Sequence, residues 1–206
     1  MKTFGAVLAG GNASRLGGVA KPLIELGGRS MAERALEPLL AHAERLFVST
    51  HQAALFAPLG LTTVSDGRAD KLGPLAGLAA LHGAIRRETD APFRLLTVPG
   101  DTPFLPPDLA IRLLADAPPG TVRVASFEGH WQPTVALWPS DALVGLDEWL
   151  TREESELSVR RWIMRHPHKA VPFSPSQYAP DGDPFFNVNT PDDLARARAW
   201  IERQAS

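Results

Sequence analysis

Short apolar runs alternate with amphipathic segments along the chain, and that alternation predicts a mostly parallel sheet flanked by helices. The first predicted strand is Phe4 to Ala9. After a glycine-rich loop, Ser30-Met31-Ala32-Glu33 has the form of a capping box. Met31, Ala35, Leu36, Leu39 and Leu40 then share a helical face, with Pro38 expected to kink or shorten the helix. Leu46 to Thr50 and Leu61 to Val64 read as the second and third strands, with a short helical piece between them. A loop from Asp66 to Gly73 feeds a helix from about Pro74 to Arg87. Phe93 to Val98 is the most apolar strand and ends at Pro99-Gly100-Asp101, and a helix follows from Pro107 to about Ala117. Thr121 to Phe127 and Pro133 to Trp138, joined through Glu128-Gly129-His130, predict an antiparallel pair within the parallel pattern. Helices around Asp141 to Leu150 and Val159 to Met164 lead to a strand near Lys169 to Phe173 and a proline-rich loop. The chain closes on a helix that Thr190 caps, Pro191 starts and Asp192 and Asp193 favour through the helix dipole.

Composition narrows the function classes. With 206 residues, 44% of them apolar, the chain is expected to form one domain. The 21 basic and 23 acidic residues leave a net charge of −2, so no basic surface for nucleic acid or an acidic membrane is expected, and any phosphate binding must be local. The absence of cysteine excludes disulfides, thiolate metal sites and cysteine nucleophiles. The longest apolar and Gly/Pro stretch, Leu72 to Leu81, falls far short of the roughly 18 residues that span a bilayer. Phe4 to Gly11 imitates a secretion signal, but its apolar core is short and Arg15 and Lys21 follow soon, so a cytoplasmic protein is expected.

Chemistry concentrates in three places. Leu8-Ala9-Gly10-Gly11 opens a loop, directly after a strand, that runs through Arg15 to Lys21. Glycines let successive backbone N–H groups converge on an anion, and the lysine adds a point charge. The spacing matches neither a P-loop nor a dinucleotide fingerprint, and a plain strand-to-helix turn is the alternative. Asp66 and Asp101 follow two predicted strands, so in an open parallel sheet both belong at the carboxyl edge beside that loop. Two such carboxylates suggest Mg²⁺ bridging acid to nucleotide phosphate; turn-capping aspartates are the alternative. No His-Glu-x-x-His zinc motif and no Gly-x-Ser-x-Gly elbow occurs.

Together the motifs resemble the molybdenum cofactor guanylyltransferases, within the larger group of Rossmann-like nucleotidyltransferases. The resemblance covers nearly the whole chain. It is carried by Leu8-Ala9-Gly10-Gly11 to Lys21, Gly73-Pro74-Leu75-Ala76-Gly77, Gly100-Asp101-Thr102-Pro103-Phe104, Gln132-Pro133-Thr134 and Phe186-Asn187-Val188-Asn189-Thr190-Pro191. It implies an α/β fold of one domain, an open twisted sheet whose residues 1–117 bind nucleotide and 118–206 the acceptor. The activity it implies is transfer of GMP from GTP to the phosphate of molybdopterin.

The same resemblance implies residue roles. Leu8, Ala9, Gly10 and Gly11 would contact the nucleotide, Lys21 its phosphates, and Asp66 and Gly77 the guanosine side. Asp101 would hold Mg²⁺, with Lys21 and Arg15 neutralising charge during transfer, and Asn187 and Asn189 would lie near the pterin phosphate. Two positions depart from the family: its asparagine after the second strand is replaced within Val48-Ser49-Thr50-His51, and Gly100 stands where cysteine is common. The implied partners are GTP and molybdopterin, with no nucleic acid or membrane, a monomeric state, and transient contact with enzymes that deliver or receive the cofactor. Two other readings compete: a related transferase acting on a sugar phosphate or phospho-acid, or transferring cytidylyl to molybdopterin, and a nucleotide-binding module without turnover.

Overall fold

The computed structural model describes residues 1–10, 15–16, 19–65, 73–151 and 158–205, with only the backbone at 15, 16 and 205. A sheet of seven strands forms its centre. In chain order these are β1 (Lys2–Leu8), β6 (Arg45–Ser49), β7 (Thr62–Val64), β8 (Phe93–Pro99), β9 (Val122–Phe127), β10 (His130–Pro139) and β11 (His168–Phe173). Among the described residues four further strands are two-residue pieces, β2 (Arg15–Leu16) with β3 (Val19–Ala20) and β4 (Glu25–Leu26) with β5 (Arg29–Ser30), each pair antiparallel. The spatial order of the main sheet is β11-β9-β10-β8-β1-β6-β7. Only β10 runs against the rest, since it pairs antiparallel with both neighbours while all other pairings are parallel.

The register lines up the strand ends. Leu8 stands opposite both Ser49 and Pro99, and Ser49 stands opposite Val64, so the four parallel strands on this side stop at one level. The segments leaving them emerge along one lip, the edge where open parallel sheets bind ligands. The turn between β9 and β10 lies at the same edge, with Glu128 at φ 48 and Gly129 at φ 78; positive φ at both central residues suits the twist of a tight hairpin.

Both faces of the sheet are covered. Phe4, Ala6 and Leu8 of β1 pack with Leu75, Leu78 and Ile85 of α3 (Pro74–Arg86) and with Trp162 and Ile163 of α6 (Val159–Met164). Val7 of β1 faces the other way, toward Ala32, Ala35 and Leu36 of α1 (Met31–Leu36) and Leu109 and Leu113 of α4 (Leu109–Leu114). A third cluster joins Ile24, Leu26 and Phe104 to Val188 and to Ala197 of α7 (Pro191–Ala205). Among the described residues no helix is long and apolar enough to cross a membrane.

Several elements differ from the sequence expectation for local reasons. The Ser30–Glu33 capping box forms, with the Glu33 N–H donating to Ser30 Oγ at 3.2 Å, but α1 gives way to a 3-10 turn over Glu37–Leu39. Pro38 has no N–H to donate and its ring crowds the carbonyl of Arg34. The helix expected over 141–150 divides into a 3-10 turn, Ser140–Leu143, and α5 (Leu146–Trp149), because Gly145 takes φ 77 between them. The helix expected over 107–117 is only Leu109–Leu114, ending where the buried Arg123 guanidinium donates to the carbonyls of Arg112 and Ala115. The strand expected over 133–138 is longer, His130–Pro139, and carries a register shift between Gln132 and Ala136.

Candidate functional site

A cleft of about 250 Å³ opens at the carboxyl edge of the sheet. Leu8, Ala9 and Gly10 line one part of it, Pro99, Gly100 and Asp101 another, and Lys21, Pro22, Pro74, Thr134, Asn187 and Asn189 complete the wall. Of the residues singled out in the sequence, Leu8, Ala9, Gly10, Lys21, Asp101, Asn187 and Asn189 are thus brought together. Gly11 and Asp66 lie outside the described residues, and Arg15 is described only through its backbone, which pairs with Ala20.

Backbone contacts knit the floor. The Ala9 N–H donates to the Ser49 carbonyl at 2.9 Å and the Gly100 N–H to the Leu8 carbonyl at 3.1 Å, so the segments leaving β1, β6 and β8 are held in register. Gly100 has no room for a side chain, since a Cβ there would stand 2.9 Å from Pro22 Cβ and 3.2 Å from Val7 Cγ2. The chain therefore packs Pro22 directly against the Gly100 backbone, and Pro22 follows Lys21 in the 3-10 turn Lys21–Leu23.

Lys21 is only 6% exposed, and its Nζ donates to Asn189 Oδ1 at 2.9 Å. A buried ammonium must find acceptors or a counter-charge, and it has both in Asn189 and the carboxylate of Asp101. Burial pushes the Asp101 carboxyl above the usual carboxylate range, and the Lys21 charge offsets part of that rise. The Asp101 carbonyl accepts from the Val188 N–H at 2.9 Å, which draws the Asn187–Asn189 segment over the cleft. The segment is held from below as well, with Val188 fully buried in the third cluster and the Asn189 and Thr190 N–H groups both donating to Asp193 at the start of α7.

The start of α3 supplies a further positive element. Gly73 caps it at φ 60 without a side-chain hydrogen bond, no acidic residue lies in its first turn, and Pro74 borders the cleft. The positive end of the helix dipole there favours an anion. Gly77 does not line the cleft. A Cβ on it would stand 2.5 Å from Ser49 Oγ, so glycine is what lets α3 lie on the end of β6. His51, just after β6, lies beside Gly10, 4.0 Å from where a Cβ on Gly10 would be.

Five wall residues, Pro22, Pro74, Pro99, Gly100 and Thr134, had no substrate role in the sequence reading, although Pro74, Gly100 and Thr134 fall in motifs that carry the resemblance. Thr134 reaches the cleft because the register shift in β10 pushes it out of the ladder. The signal was Pro133, since proline inside a strand marks an edge or a bulge.

The arrangement combines an exposed backbone at Gly10, the start of α3, a buried ammonium and one carboxylate of raised proton affinity. Such a set suits a polyphosphate, with Asp101 the group that could hold a divalent cation. The chain matches the MobA-like NTP transferase domain family over residues 5–170. It is 40% identical to the molybdenum cofactor guanylyltransferase of Mesorhizobium japonicum over 98% of this chain and 97% of that protein. It is 39% identical to that of Cereibacter sphaeroides over the whole of both. The crystal structure of molybdopterin-guanine dinucleotide biosynthesis protein A from Archaeoglobus fulgidus shares the fold, with a TM-score of 0.68, 22% identity, and 98% of this chain and 100% of that one covered.

Proposed function

The chain belongs to the MobA-like NTP transferase family, among the molybdenum cofactor guanylyltransferases, and on that premise we propose that it transfers GMP from GTP to the phosphate of molybdopterin, releasing pyrophosphate. The observation that carries the reading is the meeting of Ala9 and Gly10, Lys21, Asp101 and the Asn187–Asn189 segment around one cleft. Residues 1–117 supply the strand ends for the nucleotide, and 118–206 supply Thr134, Asn187 and Asn189 for the acceptor. The cytoplasm, where GTP is available, is the compartment this reading implies.

A phosphate oxygen of the acceptor attacks the α-phosphorus of GTP. The new phosphoanhydride bond forms as the bond to the α,β-bridging oxygen breaks, and its electron pair leaves with pyrophosphate. The attacking phosphate is already anionic at neutral pH, so the step needs no general base. The work of the chain is to hold two polyanions in line and to stabilise charge as it moves to the leaving group. The Gly10 backbone and the first turn of α3 hold phosphate oxygens, and Lys21, held by Asn189, neutralises one of them. Arg15 and Gly11 belong to the same loop and Asp66 to the guanosine side.

Asp101 is the residue that would hold Mg²⁺. The fit is physical: a carboxylate that burial makes reluctant to ionise gains most from a dication, and Mg²⁺ commonly takes one or two carboxylates with the rest of its shell from phosphates and water. When bound, it would offset the negative charge that builds up on the phosphates. Pyrophosphate release should be measured with each of the four nucleoside triphosphates, with and without molybdopterin. Release that needs both GTP and molybdopterin is expected. Equal turnover with CTP overturns the guanylyl assignment, and release without any pterin overturns the acceptor.

A further inference from the structure

β8 and β10 share a hydrogen-bonded relay that the transfer reaction described above does not use. One step along β9, from Ala125 to Val124, corresponds to four steps along β10, from Gln132 to Ala136, so Pro133, Thr134 and Val135 bulge out of the ladder. Pro133 has no N–H to donate, and the bulge leaves the Thr134 carbonyl without a ladder partner on β9. Thr97 of β8, 1% exposed, closes the gap: its Oγ1 donates to the Thr134 carbonyl at 2.9 Å and accepts from Trp138 Nε1 at 3.0 Å. An indole N–H only donates, so Thr97 Oγ1 accepts from Trp138, and its own proton has two carbonyls in reach, of which Thr134 at 2.9 Å is nearer than Ala136 at 3.4 Å. Trp138 is fully buried, so the relay is anchored in the core while its far end stands at the cleft wall.

We infer that Thr97 is a positioning residue for acceptor binding: its hydroxyl locks the bulge that aims Thr134 into the cleft on the side away from β1. The inference rests on the function proposed above, in which residues 118–206 take the acceptor, and on Thr134, Asn187 and Asn189 being the residues of that half that border the cleft. Thr97 itself touches no substrate.

The test compares Thr97→Val, which keeps the shape and removes the hydroxyl, with Thr97→Ser, which keeps the hydroxyl and removes a methyl. Binding of metal-free molybdopterin is titrated by fluorescence under anaerobic conditions, and binding of GTP separately. Thr97→Val is expected to weaken molybdopterin binding about tenfold, the size of one hydrogen bond, with GTP affinity unchanged within about twofold, and Thr97→Ser to restore it. A purely structural threonine would loosen both ligands alike or neither, and either result overturns the inference. On the wild-type protein the Trp138 indole ¹⁵N–H resonance, assigned by Trp138→Phe, should shift with molybdopterin and stay in place with GTP. The opposite response, or none, overturns it without need of a folded Thr97 variant. Wild-type protein that binds molybdopterin but transfers no nucleotide defeats the functional reading while the Thr97 comparison stands, and protein that binds no molybdopterin defeats both.

Discussion

Replacing Asp101 by asparagine removes one negative charge while keeping the side chain's volume and the backbone bond from Val188. The change should act in opposite directions on activity and on stability. In turnover, loss of the carboxylate that recruits the dication removes several kcal/mol of transition-state stabilisation; about 4 kcal/mol corresponds to roughly a thousandfold in kcat. In the free protein, burial disfavours the charged carboxyl by more than the Lys21 charge restores, so folding raises the proton affinity of Asp101. Such a group contributes stability that is fully present below the pKa of the unfolded chain, roughly 4, and is lost as pH rises through the folded value. Asparagine has no charge to bury and escapes that loss. Asp101→Asn should therefore melt above wild type at neutral pH, and the advantage should vanish near pH 3. The assay is a pair of melting curves at pH 7.5 and pH 3 without metal, alongside turnover at saturating GTP and Mg²⁺. A variant that keeps more than about a tenth of wild-type kcat places the metal elsewhere. A variant that melts below wild type at neutral pH contradicts the burial argument.

Two other substitutions probe the same region. Lys21→Met keeps the apolar stem in its buried slot and loses the ammonium, so the fold should persist while kcat/KM for GTP falls by about 10 to 100-fold, the size of a charge-assisted hydrogen bond; steady-state kinetics and a melting curve decide. Gly77→Ala drives a Cβ into Ser49 Oγ and should cost about 1–3 kcal/mol by urea unfolding, most of which Ser49→Ala in the same chain should restore; destabilisation that survives the double change would mean that the helix, not the contact, suffers.

Local signals along the chain were enough for the frame. β1 and β8 were legible as apolar runs, and the Ser30–Glu33 box and the Thr190 cap marked the starts of α1 and α7, because capping and periodicity act within a few residues. Asp101 was placed at a strand end, and the glycine-rich loop beside it, by the same local reasoning and the carboxyl-edge rule. What local signals could not carry were relations summed over distant parts of the chain. Lys21 is held by Asn189, 168 positions away, through the packing of Val188 and α7 against Leu26. The rise in proton affinity at Asp101 comes from burial by segments that meet only in the folded molecule. The register shift in β10 belongs to this second kind. Pro133 marks a place where pairing can fail, but the number of residues pushed out, and Thr134 reaching the cleft, follow from how β8 and β9 pin the two sides of that strand.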